Sequence, residues 1–211
     1  MLRIRTLTVG ALATNCYLVG ADDADCIVMI DPGGEPEVLL EEAGEMGASV
    51  EAVLLTHGHV DHIAGAAGIQ RATAAKLYAH AADLEMVNKP DPYWASLVGG
   101  AEACGADVEL GEGDELHLAG LDITVMHTPG HSPGGVCFVT ADALFCGDTL
   151  FAGSMGRTDL PGADEQEMIA SLTRLVLTLP DETRVFPGHG PATTMRQEKA
   201  SNPFLQSLSG A

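Results

Sequence analysis

The chain has 211 residues, of which 30 are Asp or Glu and 10 are Lys or Arg, so that its formal net charge is −20. A surface this acidic repels phosphate backbones, which argues against nucleic acid as a partner. No stretch approaches the roughly 18–20 apolar residues of a membrane span, and the N-terminus lacks the apolar core of a signal peptide. We therefore expect a cytoplasmic protein with no membrane partner, folded as a single domain over residues 1–211. A salty cytoplasm, GC-rich coding and simple solubility would each account for the acidity, and the composition leaves all three open.

The five cysteines are an odd number, are scattered along the chain and form no C-x-x-C pair. Cys26, Cys137 and Cys146 lie in apolar, strand-like runs, as reduced and buried thiols do. Cys146 stands two residues before Asp148, so a role as metal ligand has to be considered. Because Gly147 marks a bend between the two residues, we interpret Cys146 as a thiol of the core.

The first third of the chain predicts strands that lead into a helix. Residues 35–46 follow the turn Asp31-Pro32-Gly33-Gly34 and carry apolar side chains at helical spacing until Gly47 ends the pattern. The predicted strands are rich in Ile, Leu and Val and are separated by small breaks. In chain order we predict strands at 2–9, 15–19 and 26–30, the helix at 35–46, a strand at 53–55, a helix at 63–73, a strand at 77–79 and a helix at 81–87.

Residues 88–113 form the least regular segment, with Pro90, Pro92 and several glycines. A loop of this length in a compact domain often forms a lid or a substrate wall. An elaborated connection, whose aromatic residues Tyr93 and Trp94 close the edge of the core, is an equally good interpretation.

The second half repeats the pattern of strands followed by a helix. Apolar residues recur at helical spacing between 164 and 179, and a last helix near 193–207 is interrupted at Pro203. Two such runs predict an α/β protein of the α+β type, an αββα sandwich of two mixed sheets flanked by helices. The strands of this half are predicted near 114–118, 121–127, 136–140, 143–146 and 184–186.

Four apolar runs each end in a metal-ligand residue that stands in a turn. Strand ends followed by such turns bring side chains to one rim of a sheet, where loops converge. Five imidazoles and two carboxylates are enough to hold two metal ions and a reactive water. The seven residues are His57, His59, Asp61, His62, His131, Asp148 and His189.

The densest of these turns is His57-Gly58-His59-Val60-Asp61-His62. His57 and His59 are alternate residues of an extended segment, so both imidazoles can face one ion. Asp61 and His62 follow at the start of the next helix, where their side chains are directed to the position of a second, neighbouring ion. Two dications that lie close together need a bridging carboxylate, for which Asp148 is the natural candidate.

The stretch Thr56–His62 resembles the signature of the metallo-β-lactamase fold superfamily. Gly130-His131, Gly147-Asp148 and Gly188-His189 match the later motifs of that superfamily in order, so the resemblance covers nearly the whole chain. It implies the metallo-β-lactamase fold and a division of the ligands. One metal would be bound by His57, His59 and His131, the other by Asp61, His62 and His189, with Asp148 as the bridge.

The resemblance also implies roles for residues around the ligands. Asp31, in Ile30-Asp31-Pro32-Gly33, would orient a ligand or its loop, as such carboxylates commonly do. Asn15 and Tyr17 match an early strand motif of the family and are interpreted as structural. The remaining histidines, His80, His117 and His127, are interpreted as structural or surface residues.

Within the superfamily the chain is similar to a compact subgroup of glyoxalase II-like, or hydroxyacylglutathione hydrolase-like, enzymes. Gly147–Phe151, Gly156–Gly162 and Asn202–Leu205 carry this similarity. It implies a hydrolase of small-molecule thioesters of the hydroxyacylglutathione type with two divalent ions, zinc first and iron or manganese as alternatives. The ions would lower the pKa of a shared water, and the metal-bridged hydroxide would attack the thioester carbonyl. Asp61 would orient this nucleophile and accept its proton.

One departure from full-length glyoxalase II concerns the substrate. Those enzymes carry an extra helical C-terminal domain with basic residues for glutathione, whereas Arg196 and Lys199 are the basic residues beyond His189 here. The thiol carrier therefore stays open. Arg157, which follows the Asp148 loop, is the candidate for binding an anionic substrate, and a salt bridge that staples its own loop is the alternative.

The main alternative function is a persulfide dioxygenase, which uses one Fe(II) held by two His and one Asp. Its Gly-Arg-Thr-Asp stretch is similar to Gly156–Asp159 of this chain. β-Lactamases of the superfamily often have Cys where this chain has Asp148 and are usually secreted, so they fit less well. A non-catalytic binding module would have lost ligands, whereas all seven positions are filled here.

Overall fold

Fourteen strands are present in the computed structural model, which describes residues 1–208. The first sheet contains β1 (Leu2–Val9), β2 (Thr14–Ala21), β3 (Cys26–Ile30), β4 (Ser49–Leu54), β5 (Lys76–His80) and β6 (Val108–Leu110). The second contains β7 (Glu115–Leu118), β8 (Leu121–His127), β9 (Val136–Thr140), β10 (Ala143–Gly147), β13 (Arg184–Pro187) and β14 (Thr193–Thr194). A small hairpin of β11 (Leu150–Phe151) and β12 (Ser154–Met155) stands apart.

The helices flank these sheets. They are α1 (Pro36–Glu45), α2 (Val60–Ile63), α3 (Ala66–Thr73), α4 (Leu84–Asn88), α5 (Pro92–Leu97), α6 (Glu165–Thr178), α7 (Met195–Ser201) and α8 (Pro203–Leu208). Among the described residues, no helix combines the length and the apolar character that crossing a bilayer requires. Residues 209–211, the end of the predicted domain 1–211, lie outside the described part of the chain.

Both sheets are mixed. In the first sheet β1, β2 and β3 pair antiparallel, while β3, β4, β5 and β6 pair parallel. In the second, β10 and β13 are parallel and the other neighbours are antiparallel, in the order β14-β13-β10-β9-β8-β7. The predicted αββα sandwich of two mixed sheets is therefore confirmed.

The core has three layers because each sheet is apolar on both faces. Along β2, Cys16 and Leu18 pack among residues of α1 and α3, while Tyr17 and Val19 pack between the sheets. This alternation is the period of two that a strand imposes on its side chains. The third layer lies between the second sheet and α6, where Leu172 and Leu175 are fully buried. Two rigid sheets thus hold the loops at one rim of the sandwich.

Two predicted elements are wrong in detail. The helix expected at 63–73 is split into α2 and α3, since the N–H of Gly65 donates to the carbonyl of Pro32 at 2.8 Å instead of continuing a helix. The irregular segment 88–113 contains α5 and β6. The side chain of Asp91 accepts hydrogen bonds from the N–H groups of Tyr93 and Trp94, and Pro92 occupies the first helical turn, which is a standard helix start.

Candidate metal centre

The seven predicted ligands lie together at the rim where four strands end. His57 and His59 follow β4 of the first sheet, and Asp61 and His62 lie in α2, which comes next. The second sheet supplies the other three, one each after β8, β10 and β13: His131, Asp148 and His189. Each sheet therefore contributes side chains to the same small volume.

The first group consists of His57, His59 and His131, whose candidate ligand atoms all lie within 4.8 Å of one another. Nδ1 of His59 is 2.8 Å from Nε2 of His131. Nδ1 of His131 donates to the backbone carbonyl of Arg157 at 2.8 Å, which leaves its Nε2 lone pair directed into the group. Nδ1 of His57 faces the hydroxyl of Thr56 at 3.0 Å, so its Nε2 is likewise directed inward.

The second group consists of Asp61, His62 and His189, again with ligand atoms within 4.8 Å of one another. Oδ2 of Asp61 lies 3.5 Å from Nε2 of His62 and 3.2 Å from Nε2 of His189. The hydroxyl of Thr14 donates to the same oxygen at 3.1 Å and helps to hold the carboxylate in place.

Asp148 lies between the two groups. Its Oδ1 is 3.4 Å from Nε2 of His62, and its Oδ2 is 3.5 Å from Nε2 of His131 and 3.6 Å from Nε2 of His189. One carboxylate thus faces ligand atoms of both groups, which is the placement that a bridging ligand requires.

Unpaired buried atoms test whether these residues fit metal ions. Nε2 of His57, Nε2 of His62 and Oδ1 of Asp148 are buried and have no hydrogen-bond partner among the described residues. A buried polar atom without a partner costs about 1–3 kcal/mol, so three at one site call for a ligand. Neutral imidazoles and carboxylates suit divalent zinc, iron or manganese. The donor set therefore fits two metal ions.

The pKa values separate the two groups. Burial lowers the pKa of His57, and burial with the neighbouring His131 and His62 lowers the pKa of His59 to about 4. Burial acts in the same direction on His62, but the carboxylates of Asp61, Asp148 and Asp31 outweigh it and raise the pKa of His62. His57 and His59 are thus neutral and ready for a cation, whereas His62 is held in an anionic environment.

The carboxylate of Asp31 holds ligands of both groups in orientation. Its Oδ2 accepts from Nδ1 of His62 at 2.9 Å and from the hydroxyl of Thr56 at 2.6 Å, and its Oδ1 accepts from the N–H of Thr56 at 2.7 Å. That hydroxyl in turn accepts from Nδ1 of His57. Asp31, His57 and His62 also form a cluster of possible ligands, but both oxygens of Asp31 are already engaged. Asp31 therefore lies where an orienting carboxylate is expected, outside the two groups.

A second buried carboxylate, Asp83, was missed by the sequence analysis. Its Oδ2 accepts from the N–H of Gly58 at 2.9 Å and from the hydroxyl of Ser132 at 2.7 Å, and its Oδ1 accepts from the N–H of Gly134 at 2.6 Å. Gly58 separates His57 from His59, and Ser132 follows His131. Asp83 thus clamps together the two loops that carry the first group. No local sequence pattern predicts this role, since a single Asp before a helix is also typical of an ordinary N-cap residue.

The loop of His189 is held by the early strand β2. The amide of Asn15 donates to the carbonyls of Pro187 and Gly190 at 3.0 and 2.8 Å, and the hydroxyl of Tyr17 donates to the carbonyl of Pro187 at 2.6 Å. These contacts are structural, as the sequence indicated. At the same loop a Cβ on Gly188 would lie 2.3 Å from Oδ1 of Asp148, so only glycine allows the loop to approach the carboxylate.

A cleft of about 760 Å³ opens onto both groups. Leu12, Met86, Trp94 and Leu97 line it, so residues 88–113 do supply part of its wall. Arg157 also lines it, but its guanidinium pairs with Asp159 through contacts of 2.6 and 2.7 Å. The structure therefore shows the predicted alternative role of Arg157, a salt bridge within its own loop.

The other candidate residues belong to neither metal group. Cys146 is buried among Leu144, Met168 and other residues beneath α6, as expected of a core thiol, and burial raises its pKa. His117 is exposed and pairs with Asp122, while the rings of His80 and His127 stack with centroids 4.1 Å apart. All five cysteines are free thiols.

The rim of two sheets, the two groups of candidate ligands and the carboxylate between them are features of the metallo-hydrolase superfamily. The chain matches the Metallo-beta-lactamase superfamily over residues 9–189 and belongs to this family. A curated relative, the hydroxyacylglutathione hydrolase GloC of Haemophilus influenzae, is 35% identical over 213 residues, covering 99% of this chain and 100% of its own length.

Similar solved structures carry several different descriptions. BLEG-1, described as a B3 metallo-beta-lactamase, is 36% identical with a TM-score of 0.89, covering 97% of this chain and 99% of its own. TTHA1623, solved in a di-iron-bound form, is 43% identical with a TM-score of 0.86, covering 95% and 100%. ETHE1 from Myxococcus xanthus is 29% identical with a TM-score of 0.81, covering 95% and 83%. The fold is thus shared by these structures, while their descriptions name different proteins and one of them names iron.

Proposed function

We propose that the protein hydrolyses thioesters with the help of two divalent metal ions. Thioesters of the hydroxyacylglutathione type are the first substrates to test. The observation that carries this proposal is the placement of Asp148, within 3.4 to 3.6 Å of ligand atoms from both groups. A mononuclear site of two His and one Asp would need this carboxylate to face ligand atoms of only one group. The relative named hydroxyacylglutathione hydrolase supports the substrate class.

Two bound ions would lower the pKa of a water and polarise a carbonyl, which is the chemistry that hydrolysis of a thioester requires. His57, His59 and His131 would hold one ion, Asp61, His62 and His189 the other, and Asp148 both. Zinc is the first expectation, and iron is supported by the di-iron form of a similar structure. The overall reaction converts a thioester and water into a carboxylic acid and a thiol.

Asp61 is the proposed catalytic residue. Burial would raise its pKa, but the neighbouring His62 and His189 outweigh burial and lower it, so that the side chain stays a carboxylate. Its Oδ2 accepts from Thr14 and faces the open cleft beside His189. A carboxylate held in this way can orient the attacking water and accept its proton.

Metal content and substrate turnover test the proposal together. The wild type should bind about two equivalents of zinc, iron or manganese and hydrolyse S-lactoylglutathione. His189→Ala should lose about one equivalent and lower kcat/KM by about 100-fold or more, because it removes a ligand of the second group. His117→Ala, an exposed histidine outside both groups, is the matched control and should change neither quantity.

A persulfide dioxygenase with a single iron is the second candidate, favoured by the similarity to ETHE1 and by the stretch Gly156–Asp159. It predicts about one equivalent of iron, retained in His189→Ala, with oxygen uptake on glutathione persulfide. That result would replace the hydrolase proposal. The lactamase description of BLEG-1 adds a third assay, hydrolysis of a β-lactam by the same preparation.

A further inference from the structure

The cleft above the metal groups is walled by apolar side chains that are open to solvent. Leu12, Trp94 and Leu97 are 50%, 40% and 45% exposed, although each is large and apolar. Met86, Phe151 and Leu160 line the same cleft. Single exposed apolar residues are common on protein surfaces, but a cluster in one concave site marks a binding surface.

The polar side chains of the cleft leave little to bind an anionic substrate. Outside the two groups and Asp148, the polar or charged lining residues are Asp91, Ser154 and Arg157. Asp91 is occupied as the cap of α5, and its charge repels carboxylates. Arg157 is neutralised by its bidentate pair with Asp159. Glutathione, which carries two carboxylates, finds no unpaired cation along the described walls of this cleft.

We infer that this wall is a subsite for an uncharged apolar chain carried by the thioester, and that Trp94 and Leu97 determine the specificity. The inference rests on the proposed hydrolysis and names its substrate class. The apolar chain can belong to the acyl group or to the thiol, since the wall offers the same chemistry to both. Burial of such a chain against Trp94 and Leu97 supplies binding free energy that a charged tripeptide thiol cannot obtain there.

Hydrolysis of four small thioesters by the metal-loaded enzyme tests the inference. S-hexanoyl-N-acetylcysteamine places the chain on the acyl side, and S-hexyl thioacetate places it on the thiol side. S-acetyl-N-acetylcysteamine is the short reference, and S-lactoylglutathione is the anionic one. One of the two esters with a six-carbon chain should have a kcat/KM at least about tenfold above both references, because each methylene removed from water favours binding.

Leu97→Ala should lower the kcat/KM of the preferred long ester by about fivefold and leave the short ester within about twofold. The matched control is Leu177→Ala, which truncates a leucine of α6 that is 79% exposed and does not line the cleft. It should change neither value. A long-chain preference that survives Leu97→Ala and Trp94→Ala unchanged would overturn the assignment of the subsite.

Trp94 provides a readout that does not depend on turnover, because it is the single tryptophan of the sequence. Two unreactive neutral amides, N-hexylacetamide and N-ethylhexanamide, mimic the two orientations of the long esters. A saturable blue shift of the Trp94 emission with at least one of them is expected, with about fivefold weaker binding in Leu97→Ala. Glutathione should leave the emission unchanged.

The two readouts separate failure of the subsite from failure of the proposed reaction. A blue shift without hydrolysis of any thioester would reject the reaction and retain the apolar subsite. Hydrolysis of S-lactoylglutathione in preference to the long esters, with no blue shift, would reject the subsite and retain the reaction.

Discussion

Oδ2 of Asp31 lies 2.9 Å from Nδ1 of His62, and both side chains are closed off from solvent. Asp31 has a backbone φ of +52°, in the left-handed region where Asn and Asp are the best tolerated residues after glycine. The carboxylate is therefore attached to a backbone conformation that few other residue types tolerate. Its position links the second metal group to Thr56 and, through Thr56, to His57.

Asp31→Asn should weaken metal binding at the second group by about 10–100-fold, since Asn keeps the backbone conformation but cannot accept from every donor around it. The measurement is a titration with zinc in competition with a chelator. Asp31→Ala should in addition lower the melting temperature, because alanine is less tolerant of a positive φ. Equal metal affinity of wild type and Asp31→Asn would contradict the orienting role.

Asp83→Asn should release metal mainly from the first group. The new amide would place an NH₂ against N–H and O–H donors, so at least one of the three hydrogen bonds that clamp the Gly58 and Ser132 loops must break. We expect a loss of about 10–100-fold in affinity or in kcat/KM, measured by metal analysis after dialysis and by thioester turnover. Asp164→Asn is the control, because the Asp164 side chain accepts from the N–H groups of Gln166 and Glu167 as the cap of α6, and Asn is an equally good cap.

Gly188→Ala should abolish the metal centre without unfolding the protein. The added methyl group would lie 2.3 Å from Oδ1 of Asp148 and 2.6 Å from Cε1 of His62, so one of these side chains must move. Activity should fall by more than about 100-fold, while the far-ultraviolet circular dichroism stays that of the wild type.

Gly44→Ala, within α1, is the counterpart of that variant. An added Cβ at Gly44 meets nothing within 4 Å. It should stabilise the protein by about 0.5–1 kcal/mol through its helix propensity and leave turnover unchanged. Loss of activity in Gly44→Ala would show that glycine substitutions act here through general destabilisation.

Acidification should destabilise the fold partly through His80. Burial and the neighbouring His127 lower its pKa from the ordinary value of 6.5, and its Nδ1 accepts from the N–H of Ala82, which requires the neutral ring. The folded state thus binds the proton more weakly than the unfolded state, so stability is lost as the pH falls through 6.5 toward the folded pKa. Between pH 7.5 and pH 5.5 the melting temperature of both proteins should fall. The fall should be about 1–2 °C smaller in His80→Gln than in the wild type. Parallel pH profiles of the two proteins would exclude this contribution.

The cluster of candidate metal ligands could be predicted from the sequence because its signal is local. His57, His59, Asp61 and His62 lie within one turn, and each later ligand follows a strand end beside glycine. The same locality explains the correct assignment of β8 or α6, whose periodicity is complete within the element. The fold followed from the succession of such elements.

The residues that were missed act across the chain. Asp83 lies 25 positions from Gly58 and 51 from Gly134, and no spacing rule connects them before the chain is folded. The binding partner of Arg157 could not be predicted either. In the sequence, its guanidinium could bind Asp159, two residues away, or a substrate. The split between α2 and α3 arises from a contact of Gly65 with Pro32, which also depends on tertiary structure.

Each metal group draws its side chains from both sheets, so neither half of the chain could assemble a complete group alone. Bound metal would therefore hold the two halves of the chain together. The metal content would then report on the packing of the halves as well as on catalysis. Substitutions in the apolar core between the sheets, such as Phe138→Ala, should then be detectable first as weaker metal retention. Resistance to a chelator would then be a measure of how completely the whole sandwich is folded.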